Sequence, residues 1–352
     1  MFIPNYTVFP KTLSSMTEIA EIKAVVERSR VLPLNEAQLR RQAILRMAHT
    51  STSIEGNKLA QFEVGKVLEG KAVRASQKDI LEVENYYHAL KALDEMAKNK
   101  GPITKEEILR LHKLVIDGLV EKDKVGKYRP SDVYVIDDLG DGREMVRFKA
   151  PDAKLVSKMV DELLDWLKKS KREGTHPIIR AGILHLQFVT IHPFTDGNGR
   201  VARLLTQLLL YREGWDFRKI IVLEDYYNRD RMSYYNAENK AQGKNYQTDM
   251  DFSSWLEFFT TGFLIEARKV LEQIQSIGFG RVSKKSEQIF LDAAEIQIMD
   301  FLTTTGRITS DDVLDILKIA KRTAQLKLKS LTDKGLLKLN GKGPASYYTL
   351  AR

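Results

Sequence analysis

The chain has no cysteine, which excludes disulfides, thiol nucleophiles and thiolate-bound zinc. No apolar run approaches the ~18 residues that a membrane-spanning helix requires. The first ten residues lack a basic stretch followed by an apolar core, so no signal peptide is expected and the cytoplasm is the expected compartment. Repeats and low-complexity tracts are missing. So is any Gly-x-x-x-x-Gly-Lys-Ser/Thr, which rules out a Walker loop as the holder of phosphates. Acidic residues are in deficit: 47 against 56 Lys and Arg leave a net charge of +9. That surplus favours an anionic partner, and ATP, a nucleic acid or an acidic protein surface each satisfies it. Residues 281–352 hold 13 Lys or Arg against 8 Asp or Glu, about half of the excess. A solvated basic surface accounts for many of these residues equally well.

What is there is the composition of an ordinary globular protein, 43% hydrophobic and 29% charged over 352 residues. That length suffices for two or three domains. Helical periodicity dominates, so the expected class is mainly α. Residues 33–56 place Leu39, Ile44, Leu45 and Met47 at helical spacing, residues 78–100 carry another amphipathic run, and Thr104 opens a third with the acidic first turn Glu106-Glu107. Extended segments at 133–137 and 145–149 flank Leu139-Gly140-Asp141-Gly142, a hairpin signature. Residues 178–191 are nearly all apolar, as expected of a buried central helix, and 201–211 resume the pattern. Further helices are expected around 229–242 and 252–274. The expected organisation is a helical region over 1–100, a core over 101–275, a linker over 276–285 and a C-terminal domain over 286–352. That last part reads as three helices followed by a two-stranded hairpin, the winged-helix arrangement.

The chemistry concentrates in residues 192–203, His-Pro-Phe-Thr-Asp-Gly-Asn-Gly-Arg-Val-Ala-Arg, a polar loop between two buried helices. Gly197-Asn198-Gly199 is expected to adopt positive φ at low cost and to turn backbone N–H groups inward as an anion nest. The helix starting there adds the positive end of its dipole. Arg200 and Arg203, three apart, share a helical face beside it. Asp196 would repel phosphate unless a cation intervened, and Mg²⁺ held by one carboxylate and phosphate oxygens answers that. His192 can take a proton from an incoming hydroxyl at neutral pH, although a histidine before proline also simply ends a helix. Together these residues imply phosphoryl-group chemistry. His185 shares a face with His192 but has no third ligand, so it reads as core packing or support rather than zinc binding.

The same twelve residues resemble the complete motif of the Fic family of protein adenylyltransferases, and the likeness extends over roughly residues 30–265. The resemblance implies a Fic-type helical domain with a β-hairpin flap. It implies AMP transfer from ATP to a Ser, Thr or Tyr hydroxyl of a target protein, this chain included, with release of pyrophosphate. His192 would be the general base and Asp196 the Mg²⁺ ligand. Gly197, Asn198 and Gly199 would hold phosphates, with Arg200 and Arg203 reaching those beyond the reacting one. Ser51-Thr52-Ser53-Ile54-Glu55-Gly56-Asn57 resembles the family's inhibitory motif. Physically, Gly56 suits the position just past a helix end, which leaves Glu55 in the last turn, where the dipole disfavours an anion. An external cation explains it better, and Arg203 is the candidate; a solvated glutamate at a frayed end is the alternative. The pairing would fill the terminal-phosphate pocket and inhibit within one molecule. Val133, Tyr134, Val135 and Ile136 match the flap that holds a target by strand addition, with Ile136 standing where relatives carry glycine. Tyr234, Tyr235 and Gln242 match positions of the base pocket, with aromatic packing as the alternative for the tyrosines.

In the C-terminal domain, Thr309 caps a helix through Lys318, and Lys321, Arg322, Lys327 and Lys329 make the next helix basic, with Gln325 free to meet a base and Lys342 in the wing. Leu326, Leu328, Leu331, Leu336 and Leu337 are its expected core. Such modules bind DNA, dock proteins or form homodimers. Two competing readings keep the motif: removal of AMP or transfer of another nucleotide or phosphate group, and an ATP-sensing, DNA-binding regulator. The absence of a bulky residue at Gly199 favours AMP transfer.

Overall fold

The computed structural model describes residues 2–138, 144–279, 291–341 and 346–351. The expected turn at Leu139-Gly140-Asp141-Gly142, residues 280–285 of the expected linker, and Lys342 lie outside them. Helices α1 (Pro10–Arg28) and α2 (Pro33–Ile54) both open on proline, whose missing N–H is no loss in a first turn. The short α3 (Gln61–Leu68) leads to α4 (Gln77–Met96), capped by Ser76, and to α5 (Lys105–Ile116), where Thr104 and Glu107 form a capping box. An antiparallel hairpin follows, β1 (Tyr134–Asp138) with β2 (Glu144–Lys149), its register shifting between Val135 and Ile136. Next come α6 (Val156–Arg172), α7 (Pro177–Ile191), α8 (Asn198–Arg212), α9 (Leu223–Arg229), α10 (Arg231–Gln242) and α11 (Ser253–Phe279). The C-terminal part is α12 (Ala293–Thr305), α13 (Ser310–Leu317) and α14 (Lys321–Asp333), then β3 (Leu337–Asn340) paired antiparallel with β4 (Tyr347–Leu350).

The pair α7 and α8 forms the middle of the molecule, buried on nearly every side. The nearly all-apolar surface of α7 has no other stable placement, and α8 buries its leucines beside it together with the paired Arg200 and Arg203. Around the pair, one continuous core runs from Met16 and Ile19 of α1 to Val270 and Ile274 of α11. The boundary expected near residue 100 is therefore no break in packing. The amphipathic helices before it bury their apolar faces on the helices after it, α1 along α11 and α2 against α9.

The helix expected to end at Ile274 runs on to Phe279, into the segment expected as linker. A lone Gly278 costs about 1 kcal/mol in a helix, too little to stop one already formed. The helix expected over 229–242 is α10, and a further helix, α9, precedes it; between them Asp230 leaves helical geometry and caps α10 by accepting from the Ser233 N–H at 3.0 Å.

Arg218 fixes where α2 starts. Its guanidinium donates to the carbonyls of Val26, Glu27 and Ser29 at 2.7–2.9 Å and to Glu36 at 2.7 Å. The end of α1 and the first turn of α2 are thereby held together.

The C-terminal helices and hairpin build a second core around Ile298, Leu302, Ile308, Val313, Leu328 and Leu331, and Leu34 of α2 packs against it. Leu326, expected in this core, is 59% exposed. It falls on the same α14 face as Arg322, Gln325 and Lys329, opposite buried Ala324, Leu328 and Leu331.

Ile19 and Leu205, both 0% exposed, belong to one cooperative unit if α1 shares the core of α8. Ile19→Ala and Leu205→Ala should each lower the stability of the same transition by roughly 2–5 kcal/mol in chemical denaturation. Two separable transitions, only one sensitive to Ile19→Ala, would contradict the shared core.

Candidate active site

The loop from His192 to Gly197 begins where α7 must stop. His192 takes a left-handed conformation, φ 49°, ψ 59°, since the residue before a proline is disfavoured from continuing a helix. A non-glycine residue there costs about 1–2 kcal/mol, so its surroundings must hold it. Arg129 does so through its Nε, which donates to the His192 carbonyl at 2.8 Å, and its backbone N–H, which donates to Pro193 at 2.9 Å. Phe194 is fully buried and stacks on His112 with centroids 3.7 Å apart. The Asn198 side chain bonds both the N–H and the carbonyl of Phe194 at 2.8 Å. Of the three residues expected at positive φ, only Gly197 has it (φ 81°); Asn198 and Gly199 already belong to α8. The turn thus opens directly onto the N-terminus of α8 rather than forming a three-residue nest. Asn198 contributes to that N-terminus through backbone alone.

His112 supports the same loop from α5. The Gly126 N–H donates to its Nδ1 at 3.0 Å, which leaves the hydrogen on Nε2 to meet the Asp196 carbonyl at 3.2 Å. Burial pushes its pKa down to about 4, which keeps this tautomer neutral.

The His192 ring is fixed in the opposite sense. Its Nδ1 lies 3.3 Å from the Val189 carbonyl, which only accepts, so the hydrogen sits on Nδ1 and Nε2 carries the free lone pair. Burial, reinforced by the Arg129 charge, holds its pKa at about 4. A neutral imidazole with an open Nε2 is the form a general base needs.

Around this base stand two arginines in different states. Arg200 is 2% exposed; its Nη2 donates to Asp196 Oδ1 at 3.0 Å, while its Nε and Nη1 have no hydrogen-bond partner among the described residues. A buried carboxylate of α4, Glu82, lies 3.8 Å from Nη1. Arg203 is 3% exposed and engaged: Nε donates to Ser51 Oγ at 2.8 Å, and Nη2 to the Ser51 carbonyl at 2.9 Å and to Glu55 Oε1 at 2.7 Å. Burial by itself would lower the Arg203 pKa, but Glu55 and the neighbouring phenols outweigh it and raise it.

Several groups hold the end of α2 in that place. Gly56 follows Glu55 with φ 96°. Arg231 donates to the Ser53 carbonyl at 2.7 Å and Tyr235 to the Ile54 carbonyl at 3.0 Å, satisfying acceptors the helix end leaves open. Asn57 donates to the Asp79 carbonyl and to Glu82, both at 2.9 Å. The fit is tight, because a Cβ on Gly199 would collide with Glu55 Oε1.

The hairpin lies nearby. Val133 precedes β1, and Tyr134, Ile136 and Val146 expose about half their surface. Among the described residues β1 pairs with β2 alone, so its other edge keeps unpaired backbone groups. Arg147 of β2 stacks its guanidinium 4.3 Å from the Tyr235 ring centroid. The structure thus gathers Ser51, Glu55, Asn57, Asp196, Gly197, Gly199, Arg200, Arg203 and Tyr235 around one site. Tyr234 lies beneath it, 1% exposed, stacked on Tyr227 and bonded to His185 Nε2 at 2.9 Å. Gln242 is 4% exposed and bonded to Thr190 and Asn239. His112, Arg129 and Glu82 were missed, because nothing in their local sequence separates them from surface or core positions.

Residues 102–210, from the approach to α5 through most of α8, match the model of the Fic/DOC family. Over that span the chain resembles a Fic domain. The Ser51–Asn57 segment lies outside the matched span. The chain is 34% identical over 185 residues to the protein adenylyltransferase fic-1 of Caenorhabditis elegans, covering 50% of this chain and 33% of that protein. It is 32% identical over 214 residues to the protein adenylyltransferase Fic of Nematostella vectensis, covering 60% and 45%. It therefore spans less than half the length of these curated relatives. In fold, it superposes on a Fic family protein from Desulfovibrio desulfuricans G20 with TM-score 0.65 and 24% identity, over 99% of this chain and 98% of that one. The Fic-1 fragment of C. elegans gives TM-score 0.59 at 22% identity, over 77% of this chain and 74% of that one. The Fic-type helical fold is shared; the chemistry must be argued from the site.

The His192 ring should titrate with a midpoint near 4 when followed by NMR, against an ordinary value of 6.5. Because the unfolded ring takes the proton first, this group lowers stability as pH falls from 6.5, and its effect ends near pH 4. A midpoint near the ordinary value would refute the neutral, buried base.

Proposed function

We propose that this chain is an autoinhibited protein adenylyltransferase that transfers AMP from ATP to a Ser, Thr or Tyr hydroxyl of a protein, itself included. The observation that carries the reading is Arg200, a buried guanidinium with open donors at the N-terminus of α8, beside a neutral His192. Buried donors without partners are rare in native proteins. A helix N-terminus beside a guanidinium with two unused donors suits phosphate.

In the reaction the target hydroxyl attacks the α-phosphorus and gives its proton to His192 Nε2. The bond to the pyrophosphate oxygen breaks and pyrophosphate leaves. The N–H groups of Gly197, Asn198 and Gly199 and the Arg200 side chain bind phosphate oxygens. The free edge of β1, at Val133, Tyr134, Val135 and Ile136, holds the target segment. Asp196, with its side chain 48% exposed, suits Mg²⁺ that takes its remaining ligands from phosphates and water, since the described residues offer no cluster of three acidic or histidine ligands. Such an ion would neutralise charge on the phosphates. Tyr235 borders the site and can meet the base, whereas Tyr234 and Gln242 support it from below.

Autoinhibition follows from the engagement of Arg203. While Glu55 and Ser51 hold it, the guanidinium cannot take a terminal phosphate, and the Glu55 carboxylate repels one. Glu55→Gly should raise AMP incorporation, read by intact mass with ATP and Mg²⁺, by roughly tenfold or more, as a shift of about 1.4 kcal/mol suffices for that factor. His192→Ala in that background should lower it by about 10²–10⁴-fold. No adduct on any protein, this chain included, with Glu55→Gly would sink the transferase reading.

A second reading concerns residues 291–351 and rests on the outward face of α14. Arg322, Gln325 and Lys329 are exposed together there, while Lys327 is turned aside onto Asp292. We propose a winged helix that lays this face on DNA. Arg322→Glu with Lys329→Glu should abolish a salt-dependent gel shift with duplex DNA; no shift by the native chain at low salt ends this reading.

A further inference from the structure

We propose that Arg129 is a positioning residue of the transfer reaction, one that sets His192 relative to the flap presenting the target hydroxyl. The inference rests on the reading of His192 as the general base. Arg129 lies between α5 and β1 and is 3% exposed. Its guanidinium bonds three separate segments: Nε to the His192 carbonyl at 2.8 Å, Nη1 to the Ser131 carbonyl at 2.9 Å, and Nη2 to the Pro151 carbonyl. Ser131 leads into β1, and Pro151 leaves β2. Both feet of the hairpin and the first residue of the catalytic loop therefore hang from one planar group.

Stability alone does not call for an arginine here. Burial lowers its pKa, and the nearest carboxylate, the half-exposed Asp132, stands 3.8 Å away. The buried charge is met mainly by carbonyl dipoles, a costly arrangement compared with apolar packing of similar volume. What an apolar side chain cannot supply is a rigid fork of donors in one plane. Lysine cannot either, since its point charge on a flexible stem cannot hold all three carbonyls in fixed relation. The base and the strand that would carry its substrate are thus referenced to the same atoms. The distance from Nε2 to the incoming hydroxyl is a consequence of that geometry. The phosphate-binding groups, the α8 N-terminus, Arg200 and Arg203, have no bond to Arg129.

The test is made in the Glu55→Gly chain, with ATP and target (or self-modification) varied separately. Arg129→Lys should lower kcat by about 10²-fold, the scale of an ångström-sized misalignment, and raise KM for the protein target. KM for ATP should stay within roughly twofold, as expected when only transition-state alignment is lost. Arg129→Ala should behave the same way and regain kcat when guanidinium ion is added, but not when ammonium is. If the alanine variant does not fold, the lysine variant decides alone. Unchanged kcat, a loss no larger than the unfolded fraction seen by thermal melting, or equal losses in ATP and target KM would each overturn the proposal. A Glu55→Gly chain that transfers nothing removes the transferase reading and this inference together. A transferring chain indifferent to Arg129 removes this one only.

Discussion

A guanidinium as deeply buried as Arg203 must find its counter-charge within reach, and the rest of the site is arranged by how it does so. The helix that carries it is covered on nearly every side, so its partners come from another element, and α2 supplies them with Ser51 and Glu55. Removing the partly exposed Glu55 carboxylate would leave the buried guanidinium one partner short, unless another anion takes the place. The folded chain therefore keeps the Glu55 carboxylate on Arg203. The same constraint makes the end of α2 a fixed feature instead of a frayed one. Arg231, Tyr235 and Asn57 complete that fixation.

The opposite wall of the site depends on neutrality. His192 and His112 are both held far below ordinary histidine pKa values by burial. Their hydrogens are on different ring nitrogens because their acceptors differ. One ring presents a lone pair to the site; the other holds the Asp196 carbonyl. A left-handed residue before a proline, a phenyl ring stacked on His112 and an asparagine bonded at both ends keep the loop in one shape.

The N-terminal helices are part of the central packing. They share the core of α7 and α8, with Arg218 locking the start of α2 to the end of α1. At its first turn α2 also touches the C-terminal core through Leu34. One helix, about 33 Å long at 1.5 Å per residue, thus runs from that module to Arg203.

Much of this could be read without coordinates, and the limits have physical causes. The loop chemistry of residues 192–203 and the helix end at Glu55-Gly56 are local: a few side chains, their spacing and the dipole of the adjoining helix imply them. The central helices, the hairpin strands and the caps at Thr104 and Thr309 are local too. Periodicity shows which face of a helix is apolar, but not what lies against it. Hence Tyr234 and Tyr235, neighbours in sequence, separate into a core ring and a site ring, and Leu326 turns outward. Arg129, His112 and Glu82 meet residues 63, 84 and 118 positions away, and such partners exist only once the chain is folded. By itself the sequence determined that His192, the turn through Gly197 and the helix end at Glu55-Gly56 are local features of the chain. Only tertiary packing decided that the carboxylate reaches Arg203 and that Arg200 keeps open donors. It also decided that one arginine outside the motif holds base and flap together, because burial and long-range approach set those pairings.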